Sequence, residues 1–447
     1  MTTAQTSREA GGKFGVFRSL RYRNYRLYAT GAIMSNIGTW MQRIAQDWLV
    51  LGLTDGNAFA LGVVTFLQFV PTLGLGMVGG LIADRYDKQT VLRFTQAGVA
   101  LTAATLGVLD LTGAVTVWWV YILALVLGII NAIESPSRVS IASELVPEKD
   151  VVNAVGLNSS SFNAARLIGP AIAGVLIGVI GTGPVFLINA ASSVWIIVLL
   201  SMIDPKERYG VDRVARERGQ VREAFRYVRS RPEIVLTILL VTCVSFFGLN
   251  LQVIVPLVAT QVFHQGAAQY GLLASSLALG TLAGALAGAG RKRRPRLRSL
   301  VVSALAFGLF EIGIAWIGNY WLFALALVPV GVVSLFFIIS ANAFVQLSVE
   351  SATRGRVMAL YMMFFMGAGA FGSPLVGWLT SVWGIQWALA ICGAATALSA
   401  LGIGLLLARR LGGFHVEAHL RTRPWLQVHI GEEQMFPYRR EPAEQVT

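Results

Sequence analysis

The chain has 447 residues, a formal net charge of +13, 55% hydrophobic side chains and only 13% charged ones. Water-soluble domains carry about 25% charged residues, so this depletion excludes an ordinary soluble chain and indicates a membrane protein. The basic excess falls between apolar segments, where it sets topology and gives no reason to invoke nucleic acid.

In chain order, residues 1–25 form a polar, basic tail containing Arg8, Lys13, Arg18, Arg21 and Arg23. No short apolar stretch with a cleavage site precedes the first span, which is therefore expected to act as the targeting signal. Predicted spans follow at 27–53, 59–83, 91–109, 117–133, 154–180 and 185–203. A second set lies at 234–263, 270–289, 300–317, 321–347, 358–382 and 386–407. Each is close to, or longer than, the ~20 apolar residues that cross a bilayer. Cys243 and Cys392 sit inside these runs and read as packing residues.

Lys and Arg alternate between loops. The second loop holds Arg85, Lys88 and Arg93, and the sixth runs from Lys206 to Arg231. The eighth reads Arg291-Lys292-Arg293-Arg294, followed by Arg296 and Arg298. Loops 54–58, 264–269 and 318–320 contain neither residue. Positive loops stay on the cytoplasmic side, so both termini are expected there, in the cytoplasmic membrane of a bacterium. The domains follow: a bundle over 26–203, a linker over 204–233, a bundle over 234–408 and a tail over 409–447. Ala224, Tyr227 and Val228 give the linker a weak apolar stripe that predicts a surface helix.

The first span carries Asn36, Trp40, Arg43 and Asp47 at a spacing that places them on one helix face. Each charge facing lipid costs about 2.5–3.5 kcal/mol on insertion scales, so the face is expected to look into a central passage. Arg43 and Asp47, four residues apart, are placed to pair, either as a structural ion pair or as a substrate or coupling site. Arg166 lies ~20 Å into the fifth span at 1.5 Å per residue, with Asp47 as its expected partner. Glu311 is similarly deep in the ninth span and needs either neutralisation or a bond to a neighbouring helix. Asn250, Gln68, Asn131, Asn342 and Gln346 suit interhelical hydrogen bonds or ligand contacts. Trp40, Phe246 and Phe247 suit an apolar pocket or plain packing. Glu134 and Arg138, at the predicted end of the fourth span, read as a structural pair.

An internal repeat relates the two sets of spans. Gly62, Gly76 and Gly80 recur as Gly271, Gly284 and Gly288, and the segment Gly169-Pro170 to Gly174 recurs as Ser373-Pro374 to Gly377. Duplicated halves are common in transporters. The expected fold is an all-α membrane protein of twelve transmembrane helices in two pseudo-symmetric six-helix bundles.

The loop Gly80-Leu-Ile-Ala-Asp84-Arg85-Tyr-Asp87-Lys88 resembles motif A of the major facilitator superfamily, with Asp87 where that family usually has Gly. The Gly169, Pro170, Gly174 segment resembles a truncated motif C of its antiporters. Phe17 to Leu27, Gly38 to Gln42, Trp48 to Val50 and Asn163 to Pro170 resemble the enterobactin-exporter and drug-exporter branch, the transmembrane secretion effectors. The resemblance covers roughly residues 17–410. It implies that motif A gates one access state, with Asp84 at the positive N-terminus of the eleventh span and Arg85 and Lys88 on nearby acids or lipid phosphates. Lys292 stands where the second half would repeat Asp84, so the latch is expected to be one-sided. The fourth span lacks the arginine of the family's motif B.

The resemblance implies a secondary transporter exporting an amphipathic small molecule, such as a drug, siderophore or secondary metabolite, by alternating access. No Gly-Lys-Ser/Thr phosphate loop is present, so the energy is expected from an ion gradient. Proton antiport is the favoured form, with Asp47 as first-choice carrier and Glu311 as second. Exchange at Asp47 requires its pair with Arg43 to open in one access state. A lipid flippase and a non-transporting scaffold or sensor are the competing readings. No Ser-His pair, metal cluster or nucleotide loop suggests an enzyme, no cofactor is implied, and a monomer is expected.

Overall fold

The computed structural model describes residues 15–209, 220–289, 296–410, 414–418 and 426–430. Inside a bilayer no water satisfies backbone groups, so apolar runs close their hydrogen bonds internally as helices. The first half consists of α1 (Arg23–Leu53), α2 (Ala58–Arg85), α3 (Lys88–Leu111), α4 (Val117–Glu144), α5 (Val151–Ile180) and α6 (Thr182–Ser201). After the short α7 (Gln220–Arg229) come α8 (Pro232–Phe247), α9 (Leu251–Leu257), α10 (Ala267–Ala289) and α11 (Leu297–Ile314). The helices α12 (Tyr320–Ser348), α13 (Ser351–Trp383) and α14 (Ile385–Arg410) complete the second half.

Local chemistry sets the ends. Asn57, Asp87 and Asn319 cap α2, α3 and α12 by accepting from backbone N–H groups of the first turn. Gly181 and Gly384, at φ of 80° and 79°, make the single-residue turns α5–α6 and α13–α14, a conformation open to glycine. The predicted span 234–263 is broken in two at Gly248–Asn250 and ends in a π-turn at Val258–Val262. The fourth helix runs on to Glu144, so Glu134 and Arg138 lie within it and not at its end as the sequence suggested.

Eleven helical segments among the described residues are long and apolar enough to span a membrane. The remaining long helix, α1, has 31 residues and packs along α5 and α6, but its charged side chains lower its hydropathy. In the linker, α7 forms where the apolar stripe predicted it; Val228 is buried and the helix packs on α13 and α8. The C-terminal tail, for which no structure was foreseen, contains strands β1 (Phe414–Ala418) and β2 (Leu426–Ile430), paired antiparallel with Phe414 opposite Ile430. The run Arg291–Arg294, and with it Lys292, lies outside the described residues.

The two halves repeat one packing plan. Helix α2 packs on α4 as α10 packs on α12, and α3 on α6 as α11 on α14. Likewise α1 on α5 and α6 is matched by α8 on α13 and α14. Between the halves, α2 meets α13 and α5 meets α10. The repeated glycines explain how closely they meet. A Cβ on Gly62 would stand 2.9 Å from Pro374 Cα, and one on Gly377 would stand 2.9 Å from Phe59 Cα. At the symmetry-related contact, a Cβ on Gly174 would stand 3.0 Å from Ala268 Cα, and one on Gly271 would stand 3.1 Å from Gly174 Cα. These glycines are the means by which the two interfaces reach backbone contact. The match does not extend to Gly76, whose Cβ position is open while that of Gly284 meets Val332.

Candidate substrate and coupling site

The face Asn36–Trp40–Arg43–Asp47 points into the protein, as its cost in lipid requires, but its charges are partnered differently from expectation. Asp47 accepts a hydrogen bond from the Tyr270 hydroxyl of α10 at 2.7 Å, and Trp48 stacks on the Tyr270 ring at 6.4 Å. Arg43 donates to Gln68 Oε1 at 3.3 Å and lies over the rings of Trp40 (5.4 Å) and Phe69 (5.0 Å). The expected Arg43–Asp47 ion pair is not formed. Helical side chains lean toward the N-terminus, which carries the Arg43 head toward Trp40 and away from Asp47.

Arg166 likewise does not pair with Asp47. Its guanidinium lies 5.6 Å from the centroid of the same Trp40 ring. Phe162, one turn earlier on α5, meets Trp40 edge-on at 5.9 Å. Gly169 of the motif C-like segment lets α5 approach so closely: a Cβ there would stand 2.7 Å from Trp40 Cβ. Sequence reasoning put Arg43 and Arg166 near one acid; the structure instead puts both against one indole.

Beside this cluster is a cavity of about 350 Å³ lined by residues including Tyr28, Asn36, Gln96, Glu134, Arg138 and Phe162. Its polar wall is largely tied together through one oxygen of Glu134, while among the described residues Glu134 Oε2 has no hydrogen-bond partner. Arg138 pairs with Glu134 (Nε to Oε1 2.6 Å) and donates to Asn36 Oδ1 at 2.7 Å, while Gln96 donates to Glu134 at 2.9 Å. Asn36 is thus tied to α4, and the pair Glu134–Arg138 closes its own charge inside the first half.

The two halves close upon each other at the end bearing residues 54–57 and 263–266. There the glycine contacts of α2/α13 and α5/α10 converge with the Asp47–Tyr270 bond, and Gln261 donates to the Gly56 carbonyl at 2.8 Å. Outside this seal is a recess of about 600 Å³ whose walls include Trp48, Asp55, Gln261 and His264. Tyr270 was missed by sequence reading. It lies 223 residues from Asp47, and the one available signal was its place beside Gly271, which the repeat had marked.

At the opposite, basic end, two residues of motif A are held by partners from the linker and from α4. Asp87 caps α3, accepting from Thr90 N at 2.9 Å, and pairs with Arg208. Partial burial alone would push the Asp87 carboxyl up, but the hydrogen bonds from Arg208 and Thr90 outweigh it and hold the group below the usual carboxylate range. Lys88 pairs with Glu144 at the end of α4. Gly80 ends in the last turns of α2, and Asp84 and Arg85 are exposed there. The basic residues before α1 are also engaged with the protein. Arg18 and Arg21 both pair with Asp150, and Ser19 bonds Asn153, fastening the segment before α1 to the start of α5.

Two further candidates separate. Asn250 is consumed by structure: its amide donates to Phe246 O at 2.8 Å across the α8–α9 break, and its Oδ1 accepts from Ser373 at 2.8 Å. Glu311 bonds no neighbouring helix. It is fully buried on α11 against Gly248, Cys392 and Gly393, with a hydrogen-bond partner on neither oxygen.

Residues 14–429 match the transmembrane secretion effector family. The chain belongs to this family. Similar curated members include the staphyloferrin A transporter of Staphylococcus aureus, 27% identical over 385 residues, which are 83% of this chain and 93% of that one. The multidrug efflux pump Tap of Mycobacterium tuberculosis is 25% identical over 380 residues, 80% of this chain and 87% of that one. Macrolide efflux protein A of Streptococcus pyogenes is 22% identical over 325 residues, 71% and 80% respectively. Among solved structures, a bacterial homologue of the lysosomal transporter Spinster in an inward-facing, occupied conformation superposes with a TM-score of 0.68 at 15% identity. It covers 86% of this chain and 96% of that one. A peptide-bound POT family transporter gives 0.70 at 12% identity, covering 87% and 96%. These last two establish the fold. This effector is accordingly a multi-pass bacterial membrane protein and a secondary transporter of the major facilitator type for small molecules, not an enzyme.

Proposed function

We propose that this protein is a proton-coupled exporter of an amphipathic small molecule, working by alternating access. The observation that carries the reading is the Asp47–Tyr270 hydrogen bond, because it joins the acid of the α1 face to the opposite half at the closed end. Opening that end must pull Tyr270 away from Asp47. The freed carboxylate then has Arg43, one turn away, or an external proton as its alternatives. Proton binding at Asp47 is thereby tied to which side is open. The drug and siderophore transport named for its relatives supports export of a molecule of that size. On this reading α1 is the twelfth span, and 26–203 and 234–408 are the two bundles. The basic end and both termini face the cytoplasm of a bacterial inner-membrane monomer, and the conformation described is inward-facing. The cavity against Phe162 and Asn36 supports transport over a sealed scaffold.

The test is accumulation of a panel of fluorescent amphipaths of differing charge in cells with and without the gene, with and without a protonophore. Gene-dependent, protonophore-sensitive depletion of at least one compound is expected; identical accumulation throughout refutes the export reading. Proteoliposomes carrying Asp47→Asn then test the carrier: pH-driven flux equal to wild type removes Asp47 from that role.

A further inference from the structure

The membrane-embedded interior of the first half holds more cations than acids. Among the described residues, Arg138 is matched by Glu134, and Asp47 is engaged by a tyrosine of the other half. Arg43 and Arg166 are left over, both against Trp40 and neither in an ion pair. A guanidinium has five N–H donors, yet among the described residues Arg43 uses one, on a neutral amide, and Arg166 makes no hydrogen bond. Both residues are partly exposed, and neither leaves a guanidinium nitrogen both buried and without a partner, so their heads are not sealed into packing. Nor does the geometry suit a folding role, since a structural arginine in hydrocarbon normally finds a carboxylate or backbone carbonyls. Here the ring faces of Trp40 and Phe69 hold the cations in place while leaving most of their donor edges unused.

We infer that Arg43 and Arg166, flanking Trp40, form a binding site for an oxyanion, so that the exported molecule is an anionic amphipath whose carboxylate or equivalent group is gripped between α1 and α5. Guanidinium forks match planar oxyanions with paired hydrogen bonds. Trp40, Phe69 and Phe162 supply an apolar wall for the body of the same molecule. The inference rests on the transport reading only for the word exported; the site itself stands on the two unsatisfied arginines.

The experiment separates the two. Purified full-length protein in lipid nanodiscs is titrated with matched pairs of aromatic compounds differing in one group, such as dansylglycine and dansylglycinamide, over a panel of acids and their amides or esters. Binding is read by probe fluorescence and by the shift in melting temperature. Acids are expected to bind at least about tenfold more tightly than their neutral partners, the usual consequence of charge-assisted hydrogen bonds. Arg43→Gln and Arg166→Gln should each erase that preference. Arg43→Lys and Arg166→Lys, which keep the charge and lose the fork, should retain part of it and serve as the control for folding. Equal binding of acids and amides, preference for cations, no binding by any acid, or an acid preference that survives both glutamine variants overturns the site. The same panel is then offered to proteoliposomes under an imposed pH gradient. Flux of neutral or cationic compounds alone leaves the transport reading standing and sinks this one; arginine-dependent acid binding without flux of any compound does the reverse.

Discussion

Replacing Tyr270 with Phe removes one oxygen and keeps the ring stacked on Trp48, so it isolates the bond from Tyr270 to Asp47. That bond is 2.7 Å long, buried and made to a carboxylate. Hydrogen bonds to charged groups contribute about 1.5–3 kcal/mol. Because the bond crosses between the halves, its loss weakens the closed end without affecting either half alone. The balance between closed and open forms should therefore move by roughly 10- to 150-fold toward opening at that end. Spin labels on the loops at 54–57 and 263–266, in a chain with Cys243 and Cys392 replaced, report the separation by pulsed electron resonance. Wild type should show a short distance and Tyr270→Phe a new longer population. In an Asp47→Ala background the same substitution should add nothing, since additivity fails for groups that act on each other. An unchanged distance, or a shift that persists without Asp47, refutes the coupling.

Gly174→Ala and Gly377→Ala press a methyl onto backbone of the opposite half, at 3.0 Å and 2.9 Å from Ala268 and Phe59 Cα. Rocking apart relieves the clash, so transport should fall while the melting temperature holds; matched losses of both point to misfolding instead. Asp87→Asn should lower thermal stability at neutral pH. Because the folded carboxyl titrates below its ordinary value, its contribution is present above about pH 4 and lost as the pH falls through the lowered value. The two melting curves should then converge in acid; a gap that is constant with pH contradicts the Arg208 pairing. Glu311→Met exchanges a buried carboxyl that makes no hydrogen bond for an apolar chain of similar length. A gain of about 1–3 kcal/mol is expected in denaturant or thermal unfolding. If the variant also loses pH-driven flux, Glu311 takes the place of Asp47 as carrier.

Much of the architecture could be read in one dimension because solvation by hydrocarbon acts on each residue separately. The spans follow from which side chains lipid tolerates, the alternation of basic loops is a sum over local charge, and the α7 stripe is a local helical pattern. The duplication was legible as well, since Gly62/Gly271 and Gly174/Gly377 mark two copies of one backbone contact. Where the reading failed, it failed on pairings. Arg43 and Asp47 have the right spacing to pair and do not, whereas Asn250 does make an interhelical hydrogen bond, to Ser373 of α13. Motif A offered Asp87 as an oddity without revealing Arg208 as its partner.

What the sequence determined by itself is the list of buried charges on α1, α5 and α11 and the fact that they must face inward. Only the tertiary structure decided that Tyr270 takes Asp47, that Trp40 holds two arginines, and that Glu311 bonds to nothing. The reason is that burial is a cost paid residue by residue, whereas a partner depends on the rotation and offset of two helices. No local pattern encodes those quantities across 223 residues.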